Sequence, residues 1–178
     1  MRGETNKERL REFMKAMGRA VREPARIYLT GGTTALLFGW RQTTVDIDLR
    51  LEPERDEMFR AISSLKNKLD INIETASPPD FIPEVYGWRD RSIFIDREGK
   101  IDFYHFDLYS QALAKIERGH SQDLKDVDSM FNAGLIESEK LSKIFTDIEA
   151  DLFRYPAIRP ERFRQSLDEV LSKQKRGK

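Results

Sequence analysis

The chain contains no cysteine. That excludes a disulfide framework and thiolate chemistry, and it suits a reducing compartment, so a cytoplasmic location is the expectation. Long apolar runs are also missing. No stretch approaches the ~20 residues of a membrane-spanning helix, and the charged N-terminal residues lack the apolar core of a signal sequence. No membrane partner is expected. Neither sign of charge is in excess: 31 Lys+Arg balance 31 Asp+Glu over 178 residues, so no global basic field announces nucleic acid. Only two histidines occur, His105 and His120, and no third nitrogen or sulfur ligand accompanies them to make a zinc site. On its apolar strand His105 reads as a hydrogen-bonded core residue. The sequence has no Gly-Lys-Ser/Thr phosphate loop, no Ser-His-Asp grouping, no internal repeat and no low-complexity stretch.

What is present suffices for a core: 39% of residues are hydrophobic, beneath a surface made polar by 35% charged residues. Leu10, Phe13, Met14, Met17 and Val21 fall at helical spacing, which predicts an amphipathic helix over roughly 5–22, ended by Pro24. Arg26-Ile-Tyr-Leu-Thr30 reads as a strand, Gly31-Gly32 as a turn, and Thr33 to Phe38 as a short helix stopped by Gly39. Thr43 to Leu51 alternates at period two. Val45, Ile47 and Leu49 are expected on the core face, with Asp46, Asp48 and Arg50 on the other.

Pro53 is expected to open a helix running to about Lys68 with Met58, Phe59, Ile62 and Leu65 inward. Leu69–Thr75 is a third alternating strand, and a Pro-rich loop follows at Ser77–Pro83. Ser92–Asp96 and Lys100–Phe106 form a hairpin turning at Glu98-Gly99. Thereafter the pattern is helical, over roughly 109–118, 121–132, 138–154 and 160–174. The expected class is α/β (α+β): a small mixed sheet with flanking helices over 1–107, and a helical C-terminal region over 108–178 packed on that core.

Asp46 and Asp48 are the most informative pair. Residues i and i+2 of a strand point the same way with Cα atoms ~6.5–7 Å apart, so two carboxylates there can converge on one Mg²⁺. The alternative is a solvated strand that tolerates two acids. Ahead of them, a strand ending in Gly31-Gly32 and turning into a helix leaves backbone N–H groups where phosphate can sit, and glycine permits close approach.

Together, Tyr28-Leu-Thr-Gly-Gly-Thr33 through Val45-Asp-Ile-Asp-Leu49 resembles the signature of the DNA-polymerase-β-like nucleotidyltransferase superfamily: a hydrophobic residue, Gly-Gly or Gly-Ser, a spacer, then Asp-x-Asp on a strand. Thirteen residues separate Gly32 from Asp46. That spacing, with Gly39, Arg41 and Thr44 before the acids, is similar to the branch containing bacterial type IV (AbiEii-like) toxins and DUF6036-like proteins. Arg41 stands one residue further from Thr44 than in the commonest form. Downstream, Gln111 to Val127 resembles a Lys…Arg…Asp-x-x-Asp segment of the same branch.

The resemblance implies a Mg-dependent enzyme using one or two Mg²⁺ and an NTP. A nucleoside monophosphate would pass to an acceptor hydroxyl on tRNA, protein or a small molecule, and a toxin-like member would have a cognate antitoxin. Catalytic roles fall on Asp46, Asp48, Glu74, Lys115 and Asp123, with Asp126 the alternative to Asp123. Metal ligation falls on Asp46, Asp48 and Glu74; Asp102 and then Asp70 are the runners-up for the third carboxylate. Gly31, Gly32, Thr33, Arg41 and Lys115 would hold the nucleotide. Without a functional third acid, the same domain would be a non-catalytic binding or regulatory module. Trp40, Tyr86 and Trp88 are more readily packing residues than base-stacking ones.

Overall fold

A computed structural model describes residues 2–177. It divides into two compact units, one comprising Met1–Ser77 with Ser92–Phe106 and the other Pro78–Arg91 with Asp107–Lys178. The segment 78–91 therefore groups with the helical unit.

The first unit begins with α1 (Lys7–Ala20), capped by Asn6, whose Oδ1 accepts the Arg9 N–H at 2.9 Å. Its i, i+3, i+4, i+7 stripe of Leu10, Phe13, Met14 and Met17 is buried. Five strands follow: β1 (Ala25–Thr30), β2 (Asp46–Glu52), β3 (Asn72–Glu74), β4 (Ile93–Glu98) and β5 (Ile101–His105), in the spatial order β3-β2-β1-β5-β4. β1 pairs antiparallel with β2 and parallel with β5. One sheet face carries Ile27, Leu29, Ile47, Leu49, Ile73 and Phe103, which share a core with α1 and with α3 (Asp56–Lys68). Each such fully buried side chain stabilises the fold by about 1.5–3 kcal/mol. The short α2 (Gly32–Phe38) packs on β1 and β2, and Gly39, at φ 85, ends it in the left-handed conformation.

Where α1 crosses the β4–β5 turn, backbone meets backbone. A Cβ on Gly18 would lie 2.6 Å from the Glu98 carbonyl, and one on Gly99 (φ +60) would lie 2.3 Å from the Gly18 oxygen. Only glycine fits at either position.

Several expectations need correction in this unit. Val45 is 56% exposed and lies ahead of β2, because Thr44 is drawn into an isolated bridge with Thr5 instead of extending the strand. Phe59 is 40% exposed: the buried stripe of α3 is Met58, Ile62 and Leu65, and Phe59 is rotated off it. Pro53 does not open α3, which starts at Asp56 after Arg55 has reached back to the Glu23 and Pro24 carbonyls. β3 is three residues long, since Asp70, at φ 52, still belongs to the turn out of α3.

In the second unit, a 3-10 turn (Pro78–Asp80) and α4 (Trp88–Arg91) precede α5 (Leu108–Arg118), α6 (Ser121–Asn132), α7 (Ser138–Glu149) and α8 (Pro160–Arg176). Asp107 caps α5, accepting from the N–H groups of Tyr109 and Ser110 and from the Ser110 hydroxyl, while Arg91 grips its carboxylate at 2.9 and 3.1 Å. α5 is central and packs on α6, α7 and α8. The predicted 138–154 helix stops at Glu149, and a separate 3-10 turn (Leu152–Arg154) follows. Next to it the Tyr155 hydroxyl donates to the Pro79 carbonyl, tying segment 78–91 to the helices.

Candidate active site

β2 alternates as its sequence dictates. Ile47, Leu49 and Leu51 are buried, and Asp46, Asp48, Arg50 and Glu52 lie part-buried on the opposite face. Asp46 and Asp48 thus share one face, and the Gly31-Gly32 turn closes on them. Gly31 has φ 64 and ψ −135, and a Cβ built there would sit 2.7 Å from Asp48 Oδ2. The carboxylate therefore lies against bare backbone. A Cβ on Gly32 would fall 2.3 Å from Thr44 Oγ1 and 3.1 Å from Arg41 Nη1. Arg41 reaches the turn because α2 ends beneath it: the N–H groups of Trp40 and Arg41 both donate to the Ala35 carbonyl. The hydroxyls of Thr44 (3.0 Å) and Thr33 (3.4 Å) donate to the Asp46 carbonyl. Thr33 is fully buried with its hydroxyl on the Asp46 carbonyl, so it supports the turn from within.

Glu74 is in register with Asp48 on the neighbouring strand, which puts the two on the same face. It is the exposed last residue of an edge strand, and among the described residues no three His, Cys, Asp or Glu side chains come together as a metal-ligand group. Asp102 is on that face too, but opposite Arg26, four residues of β1 (~13 Å) from the Thr30–Asp48 row. Its carboxylate takes a two-pronged bond from Arg97 at 2.5 and 2.9 Å, which holds it below the usual carboxylate range against the opposing effect of burial. Asp70 is exposed and outside the strands.

His105 lies on the core face. Its Nδ1 is 3.1 Å from Thr34 Oγ1 and its ring stacks on Phe38, which also stacks on Trp40. Burial pushes its pKa down to about 4, so the ring is neutral and structural.

In the helical unit, Lys115 is 6% exposed and Asp123 and Asp126 are each 1% exposed. The Lys115 ammonium donates to Asp126 at 2.8 Å and to Asp123 at 3.3 Å; Arg118 forks onto Asp123 at 2.6 and 2.7 Å. Burial alone would raise the Asp123 pKa, but Arg118 and Lys115 together hold it below its ordinary value. Lys115 is not a solvated surface lysine, and Asp123 does not cap α6, where His120 stands at the cap. Trp88 is buried with its Nε1–H on Glu84, and Tyr86 is 97% exposed.

A family model described as "Nucleotidyltransferase of unknown function (DUF6036)" matches residues 8–171, nearly the whole chain. The chain belongs to the DUF6036 family. No curated protein and no solved structure matched it. The match spans both acids of β2, the glycine turn and the Lys115 cluster, and the general class is nucleotidyltransferase. Two residues of these charged clusters and caps escape a sequence reading. Arg118 completes the buried cluster, and the signal for it was its i+3 spacing from Lys115 facing an Asp-x-x-Asp pair on the next helix. Asp107, bound by Arg91, had no signal beyond a cap-like position before an apolar helix.

Proposed function

We propose that this chain transfers a nucleoside monophosphate from an NTP to an acceptor hydroxyl in a Mg²⁺-dependent reaction. The acceptor oxygen attacks the α-phosphorus, the bond to the β-phosphate oxygen breaks, and pyrophosphate leaves. The observation that carries this is the Asp46–Asp48 face against the side-chain-free Gly31 turn. The residues fit a hard, oxygen-seeking ion: both carboxylates are part-buried on one face, and Asp46 forms no ion pair among the described residues. When bound, Mg²⁺ supplies charge neutralisation at the transferring phosphoryl group and orientation of its oxygens. Gly31 and Gly32 admit the polyphosphate to the backbone, and Arg41 adds a fixed cation beside the turn. Glu74 is the third carboxylate of choice because it is in register with Asp48. The family resemblance assigns polyphosphate contact to Lys115 and catalytic support to Asp123, which NTP binding by Lys115→Ala and Lys125→Ala tests under conditions where circular dichroism shows both variants folded.

The acceptor is a hydroxyl of tRNA, a protein side chain or a small molecule; in a toxin-like setting a cognate antitoxin would restrain the enzyme. The deciding experiment incubates the protein with each α-labelled NTP, Mg²⁺ and total RNA or lysate. Label on an acceptor, lost in Asp48→Asn and with chelator, is the expected result. A joint Mg²⁺ and NTP rise in melting temperature without label transfer would instead identify a binding module.

A further inference from the structure

The sheet face that bears the acids carries a second feature at its other end. Strand register arranges that face in rows. Asp48 is beside Thr30 and Glu74; Arg50 is beside Tyr28, Tyr104 and Phe94; Glu52 is beside Arg26, Asp102 and Arg97. A bulge between Phe94 and Asp96 inserts one residue into β4, and that extra residue returns Arg97 to the same face as Phe94. Beside the last row opens a cavity of about 550 Å³ lined by Arg26, Arg97, Lys100, Glu52 and Asp102 among others. Its two carboxylates already face guanidinium groups, Asp102 on Arg97 and Glu52 at 3.7 Å from Arg50. Three cations, Arg26, Arg97 and Lys100, therefore stand against two carboxylates in the lining, and Arg26 and Lys100 are both exposed. The adjoining row is aromatic: Tyr104 stacks on Tyr28, Phe94 meets Tyr104 edge-on, and the Arg26 guanidinium lies 5.9 Å from the Tyr104 ring centre. Phe94 is 54% exposed, so its ring is accessible beside these cations.

We propose that this end of the sheet binds a single-stranded polynucleotide, with phosphates at Arg26 and Lys100 and a base on Phe94. Net positive charge favours an anion, and the one exposed ring of the row, Phe94, beside those cations favours an anion that carries bases, since every base has a π-face to stack. The inference deepens the nucleotidyl-transfer proposal by assigning its acceptor to the nucleic-acid class. The cation row is ~13 Å along β1 from the Asp48 row, so a strand held here would direct its end along the face bearing the acids.

The test is fluorescence anisotropy of the full chain with labelled single-stranded RNA and DNA 12-mers of one sequence, in chelator and without NTP. Asp48→Asn should bind no more weakly than wild type, which separates this site from the catalytic one. Arg26→Gln with Lys100→Gln should weaken binding about 25-fold at 0.1 M salt and flatten the log K against log salt slope by about 1.4, the value for two lost phosphate contacts on a single strand. Lys100→Gln alone should show half that slope change. Phe94→Ala should weaken binding about five- to hundredfold, with Phe94→Tyr restoring it. RNA and DNA arms that both respond this way place recognition in the phosphates and bases; an RNA-only response adds the 2′-hydroxyl. Unchanged affinity and slope in all variants, or displacement of the oligonucleotide by polyglutamate as readily as by unlabelled strand, overturns the proposal.

Discussion

Gly31→Ala isolates what the glycine turn does for the acids. At φ 64 and ψ −135 the backbone occupies a region that L residues rarely adopt, so any side chain strains the turn by about 1–3 kcal/mol. For a chain of this length that lowers the melting temperature by roughly 2–12 °C. A second effect falls on Asp48. The new Cβ would stand 2.7 Å from Oδ2, whereas ordinary contact begins at 3.4 Å, so the carboxylate must give way by most of an ångström. Mg²⁺ holds its oxygens at ~2.0–2.1 Å in near-ideal octahedral geometry and tolerates little of this. A displacement approaching 1 Å is expected to reduce transfer by about a hundredfold. Gly134→Ala is the matched control, because Gly134 also has positive φ (+69) but nothing lies within 4 Å of its Cβ. It should lose about 1–2 kcal/mol and keep full activity. Denaturant melts and label-transfer rates on both variants check this. Equal transfer rates in Gly31→Ala and Gly134→Ala would refute the proposed apposition of turn and metal-binding acid.

Asp48→Asn should abolish transfer with an unchanged melt, while Ile47→Asp, at a fully buried position, should unfold the domain and Val45→Asp, at one 56% exposed, should not; circular dichroism separates the three. Lys115→Ala removes the ammonium shared by two buried carboxylates, although Arg118 still holds Asp123, and should cost about 3–5 kcal/mol in urea melts, whereas Lys125→Ala at an exposed site should stay within about 0.5 kcal/mol. His105 predicts a pH slope. Its folded pKa of about 4 is below the ordinary 6.5, so the unfolded chain binds the proton first as pH falls. Stability should be complete above pH 6.5 and decline toward pH 4, by about 3 kcal/mol in all, and His105→Asn should remove that decline from the acid melts.

Much of this architecture was legible in the residues. α6 runs Ser121–Asn132 as its periodicity predicts, and Gly39 ends α2 where its freedom at positive φ requires. The period-two pattern of β2 put both acids on one face. Other features depend on partners distant in sequence. Nothing local says that Thr44 pairs with Thr5, so Val45 reads as strand core when it is exposed. Lys115 reads as a nucleotide contact, with nothing local to show its two carboxylate partners on the next helix, and its burial is a property of that packing. Glu74 shares a register row with Asp48, yet among the described residues no three acids come together, because side-chain reach is set by packing and not by strand period.

The order of synthesis bears on how the sheet is completed. β5 lies between β1 and β4, and Ala25 pairs with Ile101, so β1 leaves the ribosome long before its parallel partner exists. At ordinary translation speeds that interval is roughly 4–15 s. Throughout it β1 has one open edge, with the N–H and C=O groups that later bind β5 available to any other extended chain. Pro78–Arg91, which belongs to the other unit, is made in the same interval and lengthens it. A fragment ending at Ser77 would keep that edge for good. Such a truncation would carry every residue of the acid face up to Glu74 and still be prone to associate through β1, so fragments intended to isolate that face must extend through Phe106.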